Sequence, residues 1–204
     1  MTRRWLLGVL MVLWAAAPAV PAAPDPDEAR ALVERTTRQV LDAVRARRAE
    51  LEKDPARVYD IIERFVLPHF DFQRMSQHVL GVHWRRATPE QRRRFVRAFE
   101  RLLVRTYGSA VGKYRDERIV FAPVKARPGA DDVVVHAEVE QPGGFPIGLD
   151  YRLYYGAEGW KVYDIVVDGL SLLTNYRTSF RDEIRRAGLE ALIVRLEEQA
   201  SSGG

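Results

Sequence analysis

Between Phe95 and Tyr114 the apolar residues Phe95, Phe99, Leu102, Leu103, Tyr107, Val111 and Tyr114 recur every three or four positions. That spacing draws one apolar stripe along a helix of about five turns, longer than a helix needs merely to attach to a domain. Something large must lie against it. The helix is launched from Val79-Leu80-Gly81-Val82-His83-Trp84-Arg85-Arg86-Ala87-Thr88-Pro89-Glu90-Gln91. Gly81 is placed to end a preceding helix, Thr88 to cap the next, Pro89 to open it and Gln91 to close a capping box. Upstream, Asp25-Pro26-Asp27-Glu28 starts a helix with Ala29, Leu32, Val33, Thr36, Val40, Leu41 and Val44 on one face, broken by Lys53-Asp54-Pro55. A second helix turns Val58, Ile61, Ile62, Phe65 and Val66 inward and stops at Pro68; Asp71 caps a third carrying Met75, Val79 and Leu80.

After Arg118 the period drops from 3.6 to 2. Strands are expected over 119–126, 132–140, 145–155 and 160–168, separated by Pro128-Gly129-Ala130-Asp131, Gln141-Pro142-Gly143-Gly144 and Gly156-Ala157-Glu158-Gly159. Such short connections predict a four-stranded antiparallel meander. Gly169 ends it, Ser171 or Asn175 caps a helix with Tyr176, Phe180 and Ile184, and after Gly188 a last helix uses Leu189, Leu192, Ile193 and Leu196. Helices first, a curled antiparallel sheet second and helices again last make the chain α+β.

Five or six helical stripes exceed what one face of four strands covers, so the helices fold around the sheet and one another. Small residues sit where large ones would close the space: Gly108, Ala110 and Gly112 on the long helix and Gly148 on the third strand. Two readings stand: a cavity between a concave sheet and a helical lid, or glycines that only permit close packing.

Composition changes the picture at the N-terminus. With 204 residues, 47% hydrophobic and 29% charged, the chain is globular and long enough for a real core. Residues 1–23 read as a cleaved signal peptide, with Arg3 and Arg4, an apolar run from Trp5 to Trp14, and Val20-Pro21-Ala22 for cleavage near Ala22 or Ala23. A single domain over 24–200 and a loose tail over 201–204 are expected. Cleavage removes two arginines, leaving 30 basic against 28 acidic residues, a net charge near +2 in place of +4. The absence of cysteine excludes thiol chemistry and thiolate metal sites.

Candidate chemistry is sparse. His69, His78, His83 and His136 fall in no metal-ligand spacing, so no metal is expected. There is no G-x-S-x-G, phosphate loop or G-x-G-x-x-G; Ser171 in Gly169-Leu170-Ser171-Leu172 lacks the second glycine of a nucleophile elbow and suits a cap better. Asp150, Asp164 or Asp168 would serve as a general base if one entered an apolar pocket, although paired strand aspartates are the commoner case. No catalytic residue is therefore assigned. Arg85, Arg86, Arg92, Arg93, Arg94, Arg97, Arg101 and Arg105 form a basic patch; export removes nucleic acid as its partner and leaves a solvated face, anionic headgroups or an acidic docking partner.

The ordered motifs Val79-Leu80-Gly81, Trp84-Arg85, Ala87-Thr88-Pro89-Glu90-Gln91, Phe99, Arg105-Thr106-Tyr107-Gly108, Trp160-Lys161-Val162-Tyr163-Asp164, Gly169-Leu170-Ser171-Leu172 and Asn175-Tyr176-Arg177 resemble the MlaC (toluene-tolerance) family of exported lipid carriers, over about Asp27 to Leu196. The resemblance implies an NTF2-like cone, a periplasmic location and a phospholipid held by its acyl chains as cargo, with no cofactor. It also implies traffic between an outer-membrane lipoprotein complex and an inner-membrane MCE-protein/ABC-transporter complex. Positions matching the family's cavity are Tyr107, Val111, Ile147 and Leu170; alternation along the strands extends the set to Leu149, Tyr151, Ile165 and Val167. A monomer is expected. The alternatives are a carrier of hopanoid-type lipids and an NTF2-like enzyme using Asp164 or Asp150 on a lipid-like substrate. A carrier role suits the energetics: at about 0.8 kcal/mol per methylene, an acyl chain of ~16 carbons costs roughly 10 kcal/mol or more to bring into water.

Overall fold

Asp25 opens the first helix, α1 (Pro26–Ala46), by accepting the Asp27 backbone N–H at 2.9 Å, with Asp27 and Glu28 at the positive end of the helix dipole. The computed structural model describes residues 23–141 and 143–201; the signal-peptide assignment up to residue 22 and the last three residues of the expected tail lie outside them, while Ser201 belongs to the final helix. The helix expected to run to Lys53 is divided at Arg47, whose φ of −108° leaves the helical basin, so α2 (Arg48–Lys53) follows as a separate element. A 3-10 turn at Pro55–Arg57 leads into α3 (Val58–Phe65), and another at Leu67–His69 into α4 (Phe72–Leu80). Asp71 caps α4 by accepting the Arg74 N–H at 2.8 Å.

Gly81 has a φ of +53°, a conformation that costs a side-chain-bearing residue, and it separates α4 from the short α5 (Val82–Arg86). Thr88 then starts α6 (Pro89–Gly112) with the full reciprocal box: its hydroxyl accepts the Gln91 N–H at 3.2 Å, and its own N–H donates to the Gln91 side chain at 3.1 Å. At 24 residues α6 spans about 36 Å, enough to cross the whole domain.

The sheet has five strands, one more than the alternation predicts: β1 (Arg118–Phe121), β2 (Asp132–Glu140), β3 (Ile147–Gly156), β4 (Gly159–Val167) and β5 (Leu170–Ser171), antiparallel in that order. β5 is only two residues long and pairs with the end of β4, too short for any periodicity to mark. Ser171 then caps α7 (Leu172–Ala187), and Gly188, at φ +88°, turns the chain into α8 (Leu189–Ser201).

One face of the sheet is apolar across its width. Register places Val133, Val135, Ala137 and Val139 opposite Leu153, Tyr151, Leu149 and Ile147, with Ile119 and Phe121 of β1 on the same side. β4 joins this face through two different parities. Val162 pairs Leu153, whereas Ile165 pairs Tyr151 and Val167 pairs Leu149, because the register slips between Arg152 and Leu153. Such a bulge also strengthens the local twist and curls the sheet.

A single domain ordinarily packs around one contiguous core. Here the buried apolar residues form three clusters. α4, α6, α7 and α8 bring together Phe95, Phe99, Phe180, Leu192, Ile193 and Leu196. α1 lays Ala29 and Val33 on Val133, Val135, Leu153, Trp160 and Val162 of the sheet. α1, α2 and α3 enclose Val40, Val44, Leu51, Val58, Ile61 and Ile62.

Candidate functional site

The apolar sheet face is unevenly covered. Where α1 lies, Val133, Val135, Leu153, Trp160 and Val162 are sealed. Toward the other end of the strands Val139, Ile147, Leu149, Tyr151, Ile165 and Val167 are only half-buried, and every one is apolar or aromatic. Register makes these six a continuous patch: Ile147 beside Val139, Leu149 between Ala137 and Val167, Tyr151 between Val135 and Ile165. The patch carries no charge, so water gains little by touching it. The four positions expected from alternation, Leu149, Tyr151, Ile165 and Val167, thus lie on one face with Ile147, expected from the family resemblance, and Val139 shares that face through the inward parity of β2.

Tyr151 marks the deep point. Burial alone raises its phenol to about 12, yet the residue keeps accessible surface. Tyr151 is thus the most enclosed polar group on this half of the face. Leu170 stands at the rim: it pairs with Val167 across β4 and β5 but is 75% exposed. Phe145, in the turn between β2 and β3, projects beyond it at 92% exposure. That turn and the one joining β4 to β5 are held at the same end of the sheet, the Asp168 carboxylate accepting the Gly148 N–H at 2.8 Å and the Asp168 N–H donating to the Gly148 carbonyl.

The two helical positions sit on the last turns of α6. Tyr107 is 38% exposed and pairs with Tyr176 at the start of α7; burial first, and that pairing second, raise its phenol to about 12. Val111 is half-buried against the cluster of α1, α2 and α3. Tyr176 packs on Phe99, and Tyr151 and Ile165 pack on the sheet cluster. The helical candidates therefore lie by the two helical clusters and the strand candidates by the sheet cluster. Periodicity placed Tyr176 on the apolar side of its helix but not beside Tyr107, which lies 69 residues away in sequence.

The glycines expected to open this space do something else. A Cβ on Gly108 would come within 2.9 Å of Ile62 Cδ1 and 3.0 Å of Tyr59, so Gly108 permits close packing of α6 on α3. Gly112 meets Val58 in the same interface, and Gly148 points to the opposite sheet face, toward Asp168 and His136. The close-packing reading holds for Gly108, whereas a Cβ at Gly112 or Gly148 would meet its neighbours only at ordinary contact distance, 3.6 Å or more.

The carboxylates considered as bases are also on that opposite face. Asp164 is 3% exposed, but it accepts the Ser171 hydroxyl at 2.7 Å and the Leu173 N–H at 3.2 Å, with Arg152 at 3.7 Å; it ties the start of α7 to β4. Asp150 pairs with His136 at 2.6 Å, and this contact, together with Glu138, holds the imidazole above its ordinary pKa. Neither enters the apolar patch. Ser171 is engaged as the α7 cap and as a donor to Asp164, which accounts for its position without a nucleophilic role. His69 and His78 are pushed below their ordinary pKa chiefly by burial, and His78 stacks on Tyr163. Among the described residues no group of three acidic or histidine side chains is arranged to hold a metal ion, and no helix is long and apolar enough to cross a membrane.

Comparison with known proteins places this geometry. The family model described as MlaC protein matches residues 34–198. The toluene tolerance protein ttg2D of Pseudomonas putida is 32% identical over 181 residues, covering 88% of this chain and 82% of that protein. The intermembrane phospholipid transport system binding protein MlaC of Haemophilus influenzae is 24% identical over 173 residues, covering 83% and 81%. The solved structure of a phospholipid-binding protein from Ralstonia solanacearum, in complex with a phospholipid, superposes with a TM-score of 0.78 at 33% identity, over 85% of this chain and 97% of that one.

Proposed function

The chain belongs to the MlaC family, and on that premise we propose that it is a periplasmic carrier that binds a phospholipid by its acyl chains. The observation that carries this is the half-buried, uncharged half of the apolar sheet face, which includes Tyr151. Acyl chains would lie on Val139, Ile147, Leu149, Tyr151, Ile165 and Val167, with Tyr107 and Val111 closing the helical side. The headgroup would remain near Leu170 and Phe145, where the site meets water. Each methylene moved from water onto this surface recovers about 0.8 kcal/mol.

The carrier would pass its cargo between an inner-membrane MCE-protein/ABC-transporter complex and an outer-membrane lipoprotein complex, maintaining outer-membrane lipid asymmetry. Cleavage of a signal peptide near Ala22 or Ala23 would deliver it to the periplasm as a monomer. Moving a lipid from one dry site to another is nearly isoenergetic, so direction would come from the partners. The chemistry asks for no bond-making group, and Asp150 and Asp164 are already occupied on the other face. Native mass spectrometry of the purified chain, with solvent extraction of what it carries, tests the proposal. A mass excess matching one phospholipid is expected; a clean protein mass with nothing extractable overturns it.

A further inference from the structure

Seven arginines are half-buried among the described residues, and six of them spend their guanidinium on this chain. Arg30, Arg47, Arg48, Arg94 and Arg195 pair with carboxylates, and Arg92 donates to the Trp84 and Arg85 carbonyls. The seventh, Arg74 on α4, forms no ion pair among the described residues. Its guanidinium lies over the Tyr154 ring, 3.9 Å from the centroid, and 4.9 Å from that of Tyr163. The nearby carboxylates are engaged elsewhere. Asp71 accepts the Arg74 backbone N–H at 2.8 Å with one oxygen and the Tyr154 hydroxyl with the other. Asp132 accepts the Tyr163 hydroxyl at 3.1 Å, and Glu158 pairs with Lys161 at 3.1 Å. Arg74 opens onto a cleft of about 710 Å³ between α4 and the β3–β4 hairpin, lined also by Phe72, Gln73, Gln77, Tyr154 and Lys161. A guanidinium held against an aromatic face keeps N–H donors free at its edge, in the fork that matches a carboxylate.

We propose that this cleft binds the C-terminal carboxylate of a peptide, with Arg74 as its counter-ion. The charges around the cleft select that group. Arg74 and Lys161 are matched in number by Asp71 and Glu158, so the cleft has no surplus of positive charge to hold a doubly charged phosphate. A carboxylate brings one charge, in the planar shape that a guanidinium grips with two parallel hydrogen bonds. The cleft is far larger than a lone ion and has room for the residues that precede the carboxylate. Gln73 and Gln77, about one turn apart on the exposed side of α4, each offer an amide that donates and accepts as a peptide bond does. Lys161 is tied down by the Pro68 carbonyl at 2.8 Å as well as by Glu158, which leaves Arg74 as the principal anchor. Tyr154 projects from the face of β3 opposite to Tyr151 and Leu153, so the sheet separates this cleft from the apolar patch. The site therefore does not depend on the cargo being a phospholipid.

The test is an NMR titration of the whole chain with acetyl-Gly-Ala-Ala bearing a free carboxylate, alongside the same peptide as its C-terminal amide. Saturable shifts of the Gln73, Arg74 and Gln77 backbone amides are expected with the free acid, at about millimolar concentration. The amide should bind at least about tenfold more weakly, since it offers no charge to the guanidinium. His78, which also lines the cleft, is the reporter. Burial first and Arg74 second hold its imidazole below the ordinary value; Arg177 adds to this, and Asp164 and Asp132 oppose it. A carboxylate seated on Arg74 offsets part of that repulsion, so the His78 midpoint should rise when the free acid is bound. Arg74→Lys keeps the charge but loses the fork and should bind about tenfold more weakly; Arg74→Gln should abolish binding. Circular dichroism confirms that both variants fold, and the comparison of acid with amide on the wild type needs neither. Absence of saturable shifts, equal binding of the amide, or unchanged affinity in both variants overturns the proposal. So does displacement of the peptide by inorganic phosphate at equal concentration, which would make the cleft a general oxyanion site.

Discussion

The two halves of the apolar sheet face share a residue pattern and differ in what lies on them. Val133, Val135, Leu153, Trp160 and Val162 alternate inward and are sealed by Ala29 and Val33 of α1. Ile147, Leu149, Tyr151, Ile165 and Val167 alternate inward just as regularly, in the same strands, and remain half-open. Alternation reports which side of a sheet is apolar; it does not report whether the protein or a ligand completes that side. The difference lies in the reach of α1, which covers one end of the face and leaves the other.

The sharpest way to break this comparison is to truncate one residue in each half. Leu153→Ala removes a fully enclosed side chain, and should cost about 2–5 kcal/mol in urea denaturation. Ile147→Ala has few protein atoms to lose on its open side and should cost less than about 1 kcal/mol in lipid-free protein. Equal losses would mean that both halves are ordinary core. The converse experiment reads lipid. Ile147→Asp places a carboxylate where the acyl chains are proposed to lie, a group very costly to bury unpaired, and should reduce lipid occupancy at least about tenfold in native mass spectra. Leu170→Asp, at the 75% exposed rim, should reduce it less, since its carboxylate keeps its water. Full occupancy in both variants would remove these positions from the site.

What could be read from the sequence follows from the range of the interactions involved. The Asp71 and Thr88 caps, the Gly81 and Gly188 breaks, and the burial of Phe95 and Phe99 depend on neighbours within a turn or two, and each sits where its residues predict. β4 shows where this ends. Val162 and Ile165 face the same way despite opposite parity, because a register slip intervenes. The apolar sequence Trp160-Lys161-Val162-Tyr163-Asp164-Ile165-Val166-Val167 holds the trace of that slip, but Val166 is buried as well, beneath α7 on the other face, and blurs it. Gly108 likewise looked like missing volume; only the approach of Tyr59 and Ile62 from α3 reveals a contact. Which strand residues share the apolar face was legible apart from the slip in β4; the Tyr107–Tyr176 pairing and the reach of α1 were not.

A variant remote from both halves calibrates these measurements. Thr88→Ala removes a hydroxyl that accepts the Gln91 N–H at the start of α6 and should cost about 1 kcal/mol in thermal or urea denaturation. The Tyr107 end of α6 lies five turns away, so lipid occupancy should not change. A loss of lipid as large as that of Ile147→Asp would show that occupancy follows global stability, and the contrast between the sheet halves would lose its meaning.

The smallest expected effect tests whether the two faces of the sheet are independent. His136 lies behind the patch, on the face of β2 opposite to Val135 and Ala137, and its pKa is raised first by the Asp150 side chain and secondarily by Glu138. A raised folded-state pKa means that protonated His136 is favoured by folding. Its stabilisation is fully present below the unfolded value of about 6.5 and is lost as pH climbs through the higher folded value. Because the side chain is 44% exposed, water screens the pair, and the effect should stay below about 1 kcal/mol. An NMR titration of the imidazole should show a midpoint above about 6.5, returning toward it in Asp150→Asn. Lipid occupancy should stay level across that titration, since the charge lies on the solvent side of the strands and the acyl chains on the other. If occupancy instead rose or fell with His136 protonation, β2 and β3 would be transmitting charge from one face to the other, and the open half of the sheet would have to be treated as a responsive surface and not a fixed one.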